Sequence, residues 1–166
     1  MPRRQYQGPP GGLPPQTQLL TDRAVFTDAY AVIPRGCMTD IVTSMLPFWE
    51  KSRFWVIARP LSGFAETFSQ YIGEVAPGGG SDRPETDAAA QSGIFVMQGG
   101  LTITIDGTAH QVAPGGFVYI PAGMDWTLRN SGDETAQFNW IRKKYQPVDG
   151  LGAPAPFVVN EADITP

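Results

Sequence analysis

Residues 115–130 read GGFVYIPAGMDWTLRN, and their spacing constrains the fold more than any other stretch of the chain. Gly115, Pro121, Gly123, Trp126 and Asn130 punctuate two β-rich runs, FVYI at 117–120 and WTLRN at 126–130. Gly and Pro at such intervals stop a strand and turn the chain, so the stretch reads as strand, turn, strand. Just upstream, LTITI at 101–105 alternates apolar and polar residues, which puts Leu101, Ile103 and Ile105 on one face. It runs into Asp106–Gly107, the strongest short hairpin signal, because a type I′ turn needs φ > 0 at both central residues. A two-residue turn there sets Ile105 opposite Thr108, Ile103 opposite His110 and Leu101 opposite Val112.

The same pattern recurs along the chain. FWVIA at 54–58, the segment 64–75, IFVMQ at 94–98 and QFNWIRKKY at 137–145 are β-rich and separated by turn residues. No stretch beyond about ten residues carries a 3.6-residue apolar period, so no long helix is expected. With 16 Pro and 19 Gly in 166 residues, the chain suits many short strands. The fold class is all-β: short strands closing into a double-sheet jelly-roll barrel. Residues 1–16 are expected to be a flexible arm, 17–145 the barrel with its N-terminal strands, and 146–166 a wrapping tail or linker. Gly73 reads as an interruption of a strand, and 77–93 as a long polar loop in which Gly79 would tolerate a side chain. Phe95, Trp126, Phe138 and Trp140 are expected to fill the barrel.

Charge excludes some functions. The formal net charge is −4 and no basic stripe stands out, so nucleic acid is not an expected partner. RKK at 142–144 reads as a solvated strand end. Cys37 is the single cysteine, so no intrachain disulfide can form, which fits a reducing compartment. As a nucleophile it would need a histidine beside it, and only His110 exists. His110 itself reads as a packed structural residue beside Ile103. No apolar run resembles a signal peptide or a membrane span, and a cytoplasmic location is the expectation.

The spacing G-x5-P-x-G-x2-W-x3-N resembles the second conserved motif of the cupin family, in which the position of Trp126 is a metal-binding His. An indole N–H donates but offers no lone pair to a metal. The family's first motif, G-x5-H-x-H-x3–4-E-x6-G, supplies two His and a Glu. With its last Gly on Gly99, Ser92 takes the Glu position, and Glu85 and Asp87 fall near the His positions. Both lie in a Pro/Ala-rich loop and read as solvated. Ser92 and Trp126 are therefore degenerate metal-site positions and candidate pocket lining. No catalytic residue, metal ligand or cofactor is expected in this chain.

The resemblance extends further. AVIPRG at 31–36, FWEKSRFWVIARP at 48–60, FSQYIGEVAPGGG at 68–80, IFVMQGGLTITIDG at 94–107, GGFVYIPAG at 115–123 and RKKYQPVDG at 142–150 look like the N-terminal half of the (S)-ureidoglycine aminohydrolase family. That resemblance implies a cupin double-stranded β-helix. Members of the family carry two such barrels and use Mn²⁺ to release ammonia from ureidoglycine in allantoin breakdown. Their metal and catalytic residues belong to the C-terminal barrel, and the N-terminal barrel has lost its ligands. It thus implies a metal-free barrel with a structural and assembly role. The alternative is a stand-alone cupin module that binds a small metabolite without catalysis. The expected partners are further cupin barrels in a homo-oligomer, with PFVV at 156–159 and FWVIA at 54–58 as the contact surface, and a small-molecule ligand. No membrane partner is expected.

Overall fold

The computed structural model describes residues 25–26, 31–32, 43–58 and 67–164. The arm at 1–16, Cys37 and the apolar pair Ile41–Val42 lie outside them. Among the described residues the strands are β1 (Val25–Phe26), β2 (Ala31–Val32), β3 (Thr43–Ser44), β4 (Glu50–Ala58), β5 (Phe68–Ser81) and β6 (Ala90–Gln98). They continue as β7 (Leu101–Ile105), β8 (Thr108–Val112), β9 (Gly116–Ile120), β10 (Trp126–Arg129), β11 (Ala136–Lys144) and β12 (Phe157–Asn160). β1 and β2 pair with each other; the main sheet runs β12-β9-β6-β11-β5-β10-β7-β8, with β4 added on β5 and β3 on β4. All pairings are antiparallel. The sheet curls into an almost closed jelly-roll barrel.

The expected hairpin is present in its expected register: Ile105 pairs with Thr108, Ile103 with His110 and Leu101 with Val112. Asp106 has φ 47° and Gly107 φ 79°, the left-handed values a type I′ turn demands. Alternation then decides what faces in. On β6, Ser92, Ile94 and Val96 are buried, and on β11, Phe138 and Trp140 are buried. Phe95 corrects the sequence reading: it lies between the inward-facing Ile94 and Val96, so it points outward and pairs with Phe117 on the outer face.

β5 is longer than its sequence suggests. Gly73 does not interrupt it. Its cross-strand neighbours are Phe54 and Phe138, and a Cβ there would stand 2.7 Å and 2.6 Å from their rings. The glycine makes room for two core phenyl groups packed edge to face, 6.1 Å apart. The strand also continues through 77–81, so the polar loop shrinks to 82–89. There β5 leaves β11 and pairs with β10, Leu128 opposite Ser81, which carries the chain from one wall of the barrel to the other.

Asn130, the last residue of the 115–130 pattern, is buried where β10 ends. Its amide donates to the carbonyls of Val75 and Glu134, both at 2.8 Å, and its oxygen accepts from the Gly132 N–H at 3.0 Å. This satisfies backbone groups that a strand end would leave orphaned. The tail contributes β12, which adds to β9, and Val158 packs against the core.

Gly79 was expected to accept a side chain and does not. A Cβ there would meet the Glu50 carbonyl at 2.7 Å. Gly107 has open space around it but a positive φ, which costs a Cβ-bearing residue about 1–2 kcal/mol. Gly79→Val should therefore lower Tm more than Gly107→Val, and Gly152→Ala, in open space, should leave it unchanged. Thermal melts of the three variants check this; a Gly79→Val melt matching Gly152→Ala would contradict the strand at 77–81.

Candidate functional site

Ser92 and Trp126, from opposite walls, meet through a third side chain that sequence reasoning had placed only as filler. Ser92 sits on β6 facing inward, and Trp126 is the first residue of β10. Trp140 of β11 lies between them. Its indole Nε1 donates to Ser92 Oγ at 3.1 Å, and its ring meets Trp126 edge to face at 5.9 Å and 80°. Trp49 and Tyr71 pack on Trp140 at 5.7 Å and 5.5 Å, and Phe54 and Phe138 complete the cluster behind Trp49. Each buried ring removes a large apolar surface from water, and the one indole donor at the centre has its acceptor. The sequence QFNWI places Phe138 and Trp140 on one face, but nothing in it points to Ser92 as the indole's acceptor.

The 82–89 loop closes over this end of the barrel. Trp49 Nε1 donates to the Pro84 carbonyl at 3.4 Å, and the Tyr145 N–H to the Ala89 carbonyl at 2.8 Å. Glu85 was read as solvated, and that reading is corrected. Its side chain is 8% exposed and ion-paired with Arg142. Glu85 Oε1 also accepts the backbone N–H groups of Thr86 and Asp87, both at 2.9 Å. Its Oε2 is buried and finds no donor among the described residues. Asp87, 37% exposed, faces Lys144 at 3.8 Å. The RKK run is thus more than a solvated strand end: Arg142 and Lys144 fasten the loop, and Arg142 also lies over the Trp140 ring at 5.7 Å. The run lies after a rim of apolar residues, and nothing in its own pattern announces a partner 57 residues earlier.

A cleft of about 720 Å³ opens at the same end, between this loop and the start of β10. Trp126 lines it together with Asp82, Glu85, Asp87 and Asp125. His110 is elsewhere, half-buried opposite Ile103 and bordering a smaller hollow with Phe157. Arg129 reaches Asp82 at 2.6 Å, and that hydrogen bond holds its guanidinium pKa above the ordinary value. Burial, and then the nearby Tyr145, pushes the Tyr119 hydroxyl upward.

The span from β5 to β11 that builds this arrangement matches a family model. The Cupin domain model fits residues 71–142. Over 144 residues the chain is 25% identical to (S)-ureidoglycine aminohydrolase of Escherichia coli K12, covering 86% of this chain and 52% of that protein. Among solved structures it superposes with TM-score 0.81 and 56% identity on a Pseudomonas aeruginosa protein described as glyoxylate-induced, over 97% of this chain and 58% of that one. The E. coli protein Ylba superposes at TM-score 0.69 with 21% identity, over 76% of this chain and 51% of the other, which supports the fold. The chain spans a little over half the length of these relatives.

A cupin metal needs imidazole or carboxylate lone pairs converging inside the barrel. The cupin positions here hold Ser92, whose hydroxyl accepts from Trp140, and Trp126, which has no lone pair to give. Among the described residues no three His, Cys, Asp or Glu side chains form a group that could hold a metal ion. These residues do not fit a divalent metal. No helix among the described residues is long and apolar enough to cross a membrane.

Ser92→Ala would leave the Trp140 N–H buried without an acceptor, a loss of about 1–3 kcal/mol. In a Trp140→Phe background the same change should cost much less, because no donor remains. Urea denaturation of the four-member cycle checks this; additive losses would contradict the hydrogen bond.

Proposed function

We propose that this chain is a metal-free, non-catalytic cupin barrel of the (S)-ureidoglycine aminohydrolase type, with a structural and assembly role. The observation that carries the reading is the barrel centre, where Trp140 bridges Ser92 and Trp126 at the positions that would hold metal ligands. Similarity over 86% of this chain to a longer aminohydrolase, of which it covers 52%, supports it. Catalysis in such a protein would then belong to a second barrel. A hydrolytic step needs a positioned acid–base group and an activated water, and the plugged centre offers room for neither.

The assembly part rests on an exposed apolar face. The surface was expected at 54–58 and 156–159. The first half of that expectation is corrected: Phe54 packs in the aromatic core, Trp55 and Ala58 are also buried, and Val56 alone among the large apolar residues there is exposed, at 38%. Phe157 and Val159 are exposed, and Phe157 stacks on Tyr119 at 5.5 Å and lies 5.9 Å from Phe117. With Ile141, 44% exposed, they make a continuous apolar outer face across β12, β9, β6 and β11. Such a face suits another barrel. The cleft beside Trp126 favours a second reading, a barrel that binds a small metabolite without catalysis.

Two measurements test the first reading. The purified chain, dialysed after Mn²⁺ loading, should retain no stoichiometric metal and release no ammonia from ureidoglycine above background. One metal per chain with metal-stimulated turnover would overturn it. In sedimentation velocity the chain should self-associate with rising concentration, and Ile141→Lys with Phe157→Lys should return it to monomer. A wild-type chain that stays monomeric throughout would remove the assembly role.

A further inference from the structure

The 82–89 loop is held down by charge more than by apolar burial. Pro84 is its only buried apolar residue. Its ion pairs are Asp82 with Arg129 at 2.6 Å, Glu85 with Arg142, and Asp87 with Lys144 at 3.8 Å. Arg83 adds a contact over the Phe48 ring, which is itself exposed. The first and last pairs face solvent, so salt screens them and each holds the loop weakly. The middle pair is the exception, with Glu85 8% and Arg142 27% exposed.

That middle pair is opposed from within. Glu85 Oε1 takes Arg142 and the backbone N–H groups of Thr86 and Asp87. Oε2 is buried with no donor among the described residues. Closing the loop strips water from an anionic oxygen and gives it no partner, and lifting the loop restores that water. The turn beneath carries strain of its own. Phe48, under Arg83, has φ 66°, a left-handed value uncommon for a bulky residue. Both ends of the loop are fixed, Ser81 opposite Leu128 and Ala90 opposite Lys144, so the piece between them can move without unpairing a strand. Few buried apolar contacts between two firm ends mark a segment that opens ahead of the fold.

We propose that the 82–89 loop is a charge-latched cover over the aromatic centre, with Arg142–Glu85 as the latch. Release of the latch lifts the loop as one piece. Trp49, whose Nε1 donates to the Pro84 carbonyl at 3.4 Å, is then uncovered, while Trp140 stays bonded to Ser92 inside the folded barrel. Salt shifts the balance toward the open form by weakening the two outer pairs. The cover is the same whether the barrel is structural or binds a small molecule. It governs how often the aromatic mouth meets solvent.

Two donors outside the loop report on it. The Trp49 indole N–H bonds the Pro84 carbonyl near one end, and the Tyr145 amide bonds the Ala89 carbonyl at the other. Hydrogen exchange of the full chain, followed by ¹⁵N–¹H NMR, should give both one shared opening constant. The amide and indole N–H of Trp140 should stay far more protected. Raising NaCl from ~50 mM to ~500 mM should speed both reporters about threefold relative to Trp140, the screening of two exposed pairs. Arg142→Met keeps a stem over Trp140 but leaves Glu85 unpaired, and should speed both by about tenfold or more. Adding Glu85→Met removes the stranded charge and should return both toward wild-type rates, which a loop merely loosened by mutation would not do. Unequal opening constants at Trp49 and Tyr145, or exchange of both only together with Trp140, overturn the proposal. So do rates indifferent to salt or to Arg142→Met, and a double variant as fast as Arg142→Met alone.

Discussion

A single buried hydrogen bond organises the middle of this barrel. Trp140 is the largest side chain fully inside, and its N–H is the polar group that could not be hidden without an acceptor. Ser92 supplies it. With that donor satisfied, the indole can lie at the centre, and Trp126, Trp49 and Tyr71 pack on it from three directions. The arrangement is self-consistent: a metal-binding histidine at the Trp126 position would remove a ring from the cluster, and a glutamate at the Ser92 position would bring a charge to the indole's face. A packed interior and a metal-binding interior are alternative uses of the same space, and these residues select the packed one.

The same centre sets the fate of the loop above it. Arg142 is two residues beyond Trp140 on β11, on the same strand face, and lies over its ring. From there it reaches Glu85, and Lys144, two residues further, reaches Asp87. One strand thus carries both the plug and the clamp that draws the 82–89 loop down. The outer face of the strand carries the exposed Ile141, part of the apolar surface facing away from the barrel. Alternation along nine residues of β11 gives one strand three tasks, core, clamp and outer surface.

Local signals were legible in the sequence wherever short-range chemistry decides. The Asp106–Gly107 turn and the register of Leu101, Ile103 and Ile105 follow from neighbours a few residues apart. So does the β character of 117–120 and 126–130. What could not be read depends on partners distant in sequence. Gly73 looked like a break because a glycine's own neighbours say nothing of the two phenyl rings that cross it. Gly79 and Gly80 looked like a loop because the backbone they press against belongs to β4 and β10. Glu85 looked solvated because its partner lies 57 residues away. Phe95 was misassigned for another reason: hydrophobicity named it a core residue, but the face was set by Ile94 and Val96 on either side. At the site, Ser92 and Trp126 were singled out by spacing, and both are buried. The residue that fills the space between them was not, because nothing in the pattern ties Trp140 to either.

Indole rings fill the space at the barrel centre that a metal would need. The chain's four tryptophans give separate indole N–H signals in a ¹⁵N–¹H spectrum, and Mn²⁺ broadens any nucleus near it. With Mn²⁺ added in stoichiometric amount, the Trp140 and Trp126 indole signals should stay as sharp as that of Trp55, and the Trp140 N–H should exchange slowly with solvent. Selective broadening of Trp140 and Trp126 at one equivalent of Mn²⁺, removed by chelator, would contradict the account.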